Sequence, residues 1–398
     1  MDAPPPPARQ PSTFHLPDRV QLSPAAVSSF KPAKVFCNHN EQGSSFTSLA
    51  FDRQGDYLLT SGEDMTMQLF DVQSGEHVKE VKSKKYGVDL ARFTHSSSSV
   101  IHASTQGENY IRYLSLHDNQ YLRYFPGHKK RVTSLAMSPC DDTFLSGAAD
   151  DTVRLWDLRT PTAQGVLDIG GHAPVAYSPD GTVFAVAVNL RSRILVYDLA
   201  AFDREPIDNF QIDDPVAREW FPPRPPILTS VAFSPDGNYL LVGTSGDVHY
   251  VLDAFDGNMI AQLVGPPGSL KTGLERSSRW PHDRDVEPSA GLSGEEVKWT
   301  PDGRFVVSGS IAGKLLLYDV HPPPLELEKL YPNRPPPGPD CQLHPVKVLR
   351  AHRTGPSRCV VVDPRRAMWA TGGVTLAFWL PDPVAGSPNT AEESLTGK

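Results

Sequence analysis

The chain has 398 residues and a formal net charge of −8, with 39% hydrophobic residues, 39 prolines and four cysteines. That balance points to a folded β-rich body carrying Pro-rich loops and tails. It excludes a membrane helix, because no apolar run approaches the ~18 residues a span needs. MDAPPPPARQPSTF at the N-terminus lacks the apolar core of a signal peptide, and Cys37, Cys140, Cys341 and Cys359 show no C-x-x-C spacing. A soluble, intracellular protein with reduced thiols is expected.

In chain order, residues 1–31 read as a disordered Pro-rich tail, and PAKVFC (32–37) as a strand with no upstream partner. Then come FTSLAFDRQGDYLLTSGEDMTMQLFD (46–71), the degenerate GVDLARFTHSSSSVIHASTQGENYIRYLSLHD (87–118) and GHKKRVTSLAMSPCDDTFLSGAADDTVRLWDLR (127–159). The last is the fullest, with Gly-His, three alternating strands separated by turns, and Trp-Asp. GHAPVAYSPDGTVFAVAVNLRSRILVYD (171–198), LTSVAFSPDGNYLLVGTSGDVHYVLD (228–253), EEVKWTPDGRFVVSGSIAGKLLLYD (295–319) and RCVVVDPRRAMWATGGVTLAFWLPD (358–382) complete seven repeats. Repeat-ending residues Asp71, Ser115, Asp157 and Asp198 are 44, 42 and 41 residues apart, the WD40 period of four strands per blade. The fold predicted is all-β, a seven-bladed WD40 propeller over 32–382. Its last repeat ends at a third strand, so the N-terminal strand should complete the final blade and leave no open edge. Pro-rich insertions are expected at about 213–226, 264–293 and 321–345, and 383–398 reads as a second disordered tail.

His128, Ser146, Asp150 and Trp156 occupy the positions of the WD40 hydrogen-bonded tetrad. A Ser, a His and an Asp in one blade also resemble a catalytic triad, but a clamp between inner and outer strands is the reading preferred. GSIAGKLL (309–316) resembles a phosphate loop yet lies in a strand–turn–strand, with Leu315 after the lysine. The thirteen histidines lack metal-ligand spacing, and neither G-x-S-x-G nor H-E-x-x-H occurs. The sequence therefore predicts no enzyme, no metal and no cofactor.

Charge is unevenly spread. Residues 79–131 hold ten lysines and arginines against four acids, an excess of +6 in a chain of −8. SKKYG (83–87) and PGHKKR (126–131) lead into the innermost strands of adjacent blades, so Lys84, Lys85, Lys129, Lys130 and Arg131 should converge on one face. Tyr86, beside a glycine in its loop, is expected to be exposed there, with Tyr121, Tyr124 and Phe125 on the strand leading to the second loop. An acidic or phosphorylated peptide is the partner this predicts, in preference to nucleic acid.

SKKYGVDLARFTH, IRYLSLHDNQYLRYFPGHKKRV, MSPCDDTFLSGAADDTVRLWDLR and the terminal AFWLP closely resemble the WD40 subunit of COMPASS, the histone H3 lysine-4 methyltransferase complex (the WD-repeat protein eighty-two family). The likeness is dense over 44–203, looser over 227–320, and returns at 351–382. It implies a non-catalytic nuclear adaptor that engages the methyltransferase subunit and other COMPASS subunits. It also implies a second place in a phosphatase module of transcription termination and mRNA 3′-end processing, and recognition of the phosphorylated RNA polymerase II C-terminal domain. Direct sequence-specific nucleic-acid binding and membrane association are not expected. WDLR (156–159) supplies an alternative: Trp156, Asp157 and Arg159 fit the W-D-x-R box of substrate receptors for cullin–RING ubiquitin ligases.

Overall fold

The computed structural model of the chain describes residues 22–37, 44–189, 192–212, 227–244, 248–265, 295–310, 313–320, 341–352, 357 and 359–382. The turn sequences act as the alternation demands. In Ser-Pro-Asp-Gly of the fourth repeat, Ser178 Oγ donates to Asp180 Oδ1 (2.5 Å), and the Gly181 N–H donates to the Ser178 carbonyl (3.0 Å). Gly181 sits at φ +71°, a left-handed conformation that costs glycine little, and the chain reverses into the next strand.

Strand β1 is Lys31–Phe36. Blade 1 holds β2 (Phe46–Phe51), β3 (Tyr57–Gly62), β4 (Thr66–Asp71) and β5 (Glu76–Lys82). Blade 2 holds β6 (Asp89–Phe93), β7 (Ser99–Ala103), β8 (Ile111–Ser115) and β9 (Tyr121–Phe125); blade 3 holds β10 (Val132–Met137), β11 (Thr143–Ala148), β12 (Thr152–Asp157) and β13 (Gly165–Asp168). Blade 4 holds β14 (Val175–Tyr177), β15 (Val183–Val188), β16 (Arg193–Asp198) and β17 (Asp208–Gln211). Blade 5 follows with β18 (Leu228–Phe233), β19 (Tyr239–Thr244), β20 (Val248–Asp253) and β21 (Met259–Val264). Blade 6 is β22 (Val297–Trp299), β23 (Phe305–Gly309) and β24 (Lys314–Asp319), then β25 (Gln342–Leu343) intervenes before its outer strand β26 (Lys347–Arg350). Blade 7 is β27 (Cys359–Val362), β28 (Trp369–Gly372) and β29 (Leu376–Leu380), with β1 as its outer strand.

The inner strands touch in sequence around a ring, and β27 returns to β2. Seven apolar clusters fill the spaces between successive blades. The one joining blades 7 and 1 carries Phe36, Phe46, Leu49, Phe70 and Phe378. The result is the predicted seven-bladed, all-β propeller, and its closure is the predicted one: β1 pairs antiparallel with β29 from Lys31↔Leu380 to Phe36↔Leu376.

Two stretches differ from expectation. Residues 22–31, placed by the sequence in a disordered tail, include a short helix α1 (Pro24–Ser28) capped by Ser23, whose Oγ accepts from the Ala26 N–H at 3.2 Å. Val27 and Phe30 are buried, and Phe30 stacks on Trp369 with ring centroids 3.6 Å apart. The end of the third expected insertion also orders: β25 pairs parallel with β21 and makes blade 5 a five-stranded sheet. An isolated proline-rich segment gives no sign of this, because the outer edge of a blade supplies the hydrogen bonds. Val264 likewise ends β21 instead of opening the second insertion. The expected insertion at 213–226, residues 266–293 and 321–340 of the other two, and tail residues 1–21 and 383–398 lie outside the described residues.

Candidate binding face on blades 2 and 3

Because strands alternate in direction, the loops entering β6 and β10 and the β7–β8 and β11–β12 turns share one end of the propeller. Hydrogen bonds stitch them together. Gly87 donates to the Ser83 carbonyl (2.7 Å), while Thr105 and Gln106 donate backbone N–H groups to the Tyr86 carbonyl at 3.0 and 2.8 Å. Gly87 has φ +68°, and a Cβ there would lie 1.9 Å from Thr105 Oγ1, so only glycine allows these loops to meet. Asn109 Nδ2 then reaches the Lys129 carbonyl at 3.0 Å. Lys84, Lys85, Lys129 and Lys130 are all exposed on this surface.

Two predicted members behave differently. Arg131 turns to blade 2 and pairs with Asp89 Oδ2 at 2.7 Å, so the five cations do not present themselves alike. Tyr86 is half-buried rather than exposed, because its ring is covered by the Arg112 guanidinium (3.5 Å from its centroid) and flanked edge-on by Tyr121. Lys85 Nζ lies 4.9 Å from the same ring. The hydrogen bond between the Tyr86 hydroxyl and Lys85 raises the lysine and lowers the phenol from their ordinary pKa values. Of the other aromatics, Tyr121 is half-buried, Tyr124 is 41% exposed, and Phe125 belongs to the core against Phe144 and Trp156.

The residue that organises this surface did not stand out in the sequence. Arg112, opposite Tyr124 across β8 and β9, is 4% exposed. Its Nε donates to Ser104 Oγ at 2.7 Å, and its guanidinium lies 4.9 Å from the Tyr124 ring, 5.7 Å from Tyr121 and 5.9 Å from Tyr110. The available signal was local: one arginine in an otherwise uncharged strand, with tyrosines at 86, 110, 121 and 124 in the adjoining loops and strand.

In blade 3, Trp156 Nε1 donates to Ser146 Oγ (2.8 Å), His128 Nε2 lies 2.7 Å from the same oxygen, and His128 Nδ1 is 3.2 Å from Asp150 Oδ1. Burial works against the Asp150 charge, but bonds from His128, the Lys129 N–H and Thr152 outweigh it and hold the carboxyl well below its usual range. His128, Ser146 and Trp156 are buried, which makes a strand clamp of the group. In blade 2, His102 replaces the serine, with its imidazole pushed by burial down to about 4. At the other end of blade 3, Arg159 is exposed and folds onto Asp157 at 2.6 Å, away from the basic loops.

Along the propeller axis, a cavity of about 350 Å³ is lined by inner strands, among them Arg92, Leu135, Val231, Glu295 and Lys298. Arg92 of blade 2 reaches across to pair with Glu295 beside blade 6, whose other oxygen is 3.3 Å from Lys298.

Residues 30–71, 119–157 and 224–249 match the WD domain, G-beta repeat. WD repeat-containing protein 82 of Drosophila melanogaster is 36% identical over 377 residues, which span 95% of this chain and 100% of that one. The chain belongs to the WD repeat-containing protein 82/Swd2 family. Set1 complex component swd2 of Schizosaccharomyces pombe is 44% identical over 246 residues (62% of this chain, 66% of that one). COMPASS component SWD2 of Saccharomyces cerevisiae is 32% identical over 363 residues (91% and 99%). In this member of the WD repeat-containing protein 82/Swd2 family, the basic loops and the buried arginine lie within residues 79–131, the segment that carries the positive excess.

Proposed function

We propose that this chain is a non-catalytic adaptor of a COMPASS-type histone H3 lysine-4 methyltransferase complex in the nucleus. It would serve also in a phosphatase module of transcription termination and 3′-end processing. The observation that carries the reading is likeness over nearly the whole chain to a relative named as a COMPASS component. On this reading the face of blades 2 and 3 takes the phosphorylated RNA polymerase II C-terminal domain. Its support is the stitched loops bearing Lys84, Lys85, Lys129 and Lys130, with Arg131 and Tyr86 fixing their shape. A phosphate brings about −1.5 to −2 charges, which several basic side chains around one surface can meet.

The test is affinity purification of the tagged protein from nuclear extract, alongside the Lys84→Glu/Lys85→Glu double variant, with partners identified by mass spectrometry. Both lysines are exposed, so the melting temperature should stay nearly unchanged. Methyltransferase and phosphatase components recovered with the parent support the adaptor role, and loss of the phosphorylated polymerase in the variant supports the face. A cullin adaptor recovered instead, insensitive to the reversal but lost in Arg159→Ala, would overturn the reading.

A further inference from the structure

A deeply buried arginine ordinarily has a carboxylate beside it, because an unpaired buried cation is costly. Two other inward-turned arginines follow this rule: Arg92 meets Glu295, and Arg304 meets Asp319, which is fully buried, at 3.0 Å. Arg112 does not. Among the described residues no carboxylate lies within ion-pair distance of it, and its only hydrogen bond to another side chain is the one from Nε to Ser104. Glu108, on the same loop, is hydrogen-bonded to the Tyr110 hydroxyl, which raises that phenol's pKa.

Arg154 holds the same register in blade 3, opposite Ser146 as Arg112 is opposite His102, but it is only half-buried, with its Nε 3.5 Å from Thr152 Oγ1. Arg112 is the more enclosed of the two, at 4% exposure, with Ser104 as its side-chain partner. Four tyrosine faces offset part of the cation's desolvation, but rings accept no in-plane N–H bonds, and both Nη groups are left to donate.

We propose that Arg112 is the anchor for a phosphomonoester on this face, with Tyr86, Tyr110, Tyr121 and Tyr124 as the collar that holds its guanidinium ready. The inference rests on the phosphopeptide reading above and names which residue grips the phosphate. The exposed lysines attract a dianion to the surface, and the rigid guanidinium fork donates two parallel N–H bonds to two phosphate oxygens. A glutamate in place of phosphoserine carries half the charge and no third oxygen for the neighbouring lysines.

The experiment is fluorescence anisotropy with a peptide of the RNA polymerase II C-terminal domain in three forms: phosphoserine, unmodified serine and glutamate. The full chain is compared with Arg112→Lys, Arg112→Gln, Tyr124→Ala and Lys84→Glu/Lys85→Glu, with melting curves for each. Arg112→Lys and Arg112→Gln should weaken the phosphoserine peptide about 10- to 100-fold, the usual worth of hydrogen bonds to a charged group, and abolish preference over the unmodified form. Tyr124→Ala, at an exposed position, should leave folding intact and weaken binding less. Should the Arg112 variants melt early, the arginine side-chain N–H resonances of the unaltered protein decide: a shifted signal on adding phosphopeptide supports the anchor, and unmoved signals sink it. Folded Arg112 variants that bind normally, while the lysine reversal loses binding, overturn the anchor and leave the phosphopeptide reading standing. No preference for phosphoserine in the unaltered protein removes both.

Discussion

A buried side chain in this propeller is as stable as its hydrogen-bond partners allow. Ser146 is the clearest case, since one hydroxyl serves both the Trp156 indole and the His128 imidazole. Ser146→Ala should cost about 2–4 kcal/mol in urea unfolding, because it orphans two buried groups. His102 gives a pH dependence. Its pKa is about 4 when folded against an ordinary 6.5, and His249 is shifted alike, both by burial. The unfolded chain therefore takes up protons first. The stability that each contributes is fully present above about pH 6.5 and is lost as pH falls toward 4. Between pH 7 and 5 one such histidine removes about 2 kcal/mol. Urea midpoints should fall across that interval, and less steeply in His102→Leu. Asp150 stays out of this window, because its depressed pKa matters only below the ordinary carboxylate range. Arg112 shows what the sequence withheld at this scale. Counting charge found the basic segment, but which cation turns inward depends on cross-strand register, and IRYLS alone does not state it.

Among the elements, α1 and β1 act as one latch. Phe30 stacks on Trp369 while β1 hydrogen-bonds β29. Phe30→Ala should destabilise by about 3–5 kcal/mol, measured by thermal unfolding. Removal of residues 22–36 should do worse, by opening blade 7 to edge-to-edge association detectable by light scattering. The repeats made most strands legible, because period-two alternation bounded by turn residues survives even in the degenerate blades, where THSSSS and DPRRA replace the Ser-Pro-Asp-Gly turn. The latch strand was legible by arithmetic, from a last repeat one strand short. Helix α1 was marked by Ser23 and Pro24, an N-cap followed by a favoured first residue, but the surrounding prolines hid it. The strand β25 left no trace, since two residues carry no period.

For the whole molecule, the ion pair of Arg92 and Glu295 matters more than its size suggests, joining residues 203 apart in sequence. Burial pushes Glu295 up, yet Arg92 and Lys298 more than offset this and hold it below the usual range. Arg92→Met should cost about 3 kcal/mol by taking a cation away from a buried carboxylate, whereas Arg92→Met with Glu295→Met should recover much of it. A double-mutant cycle in urea measures the difference. Such a strut fixes blade 2 against blade 6, and with it the orientation of the loops that bear Lys84 and Lys85.

The closing strand also sets a clock. Lys31 and its partner Leu380 are about 350 residues apart, so a ribosome adding about 5–20 residues per second delivers the partner roughly 20–70 s after the strand itself. For that interval β1 is an unpaired strand in a crowded cell, the situation in which strands find foreign partners. Its composition answers the hazard: Lys31, Pro32 and Lys34 interrupt it, and only Phe36 is buried even in the finished ring. The segment that completes the circle is thus built to wait, and its weak apolar content is the condition of a ring that closes last.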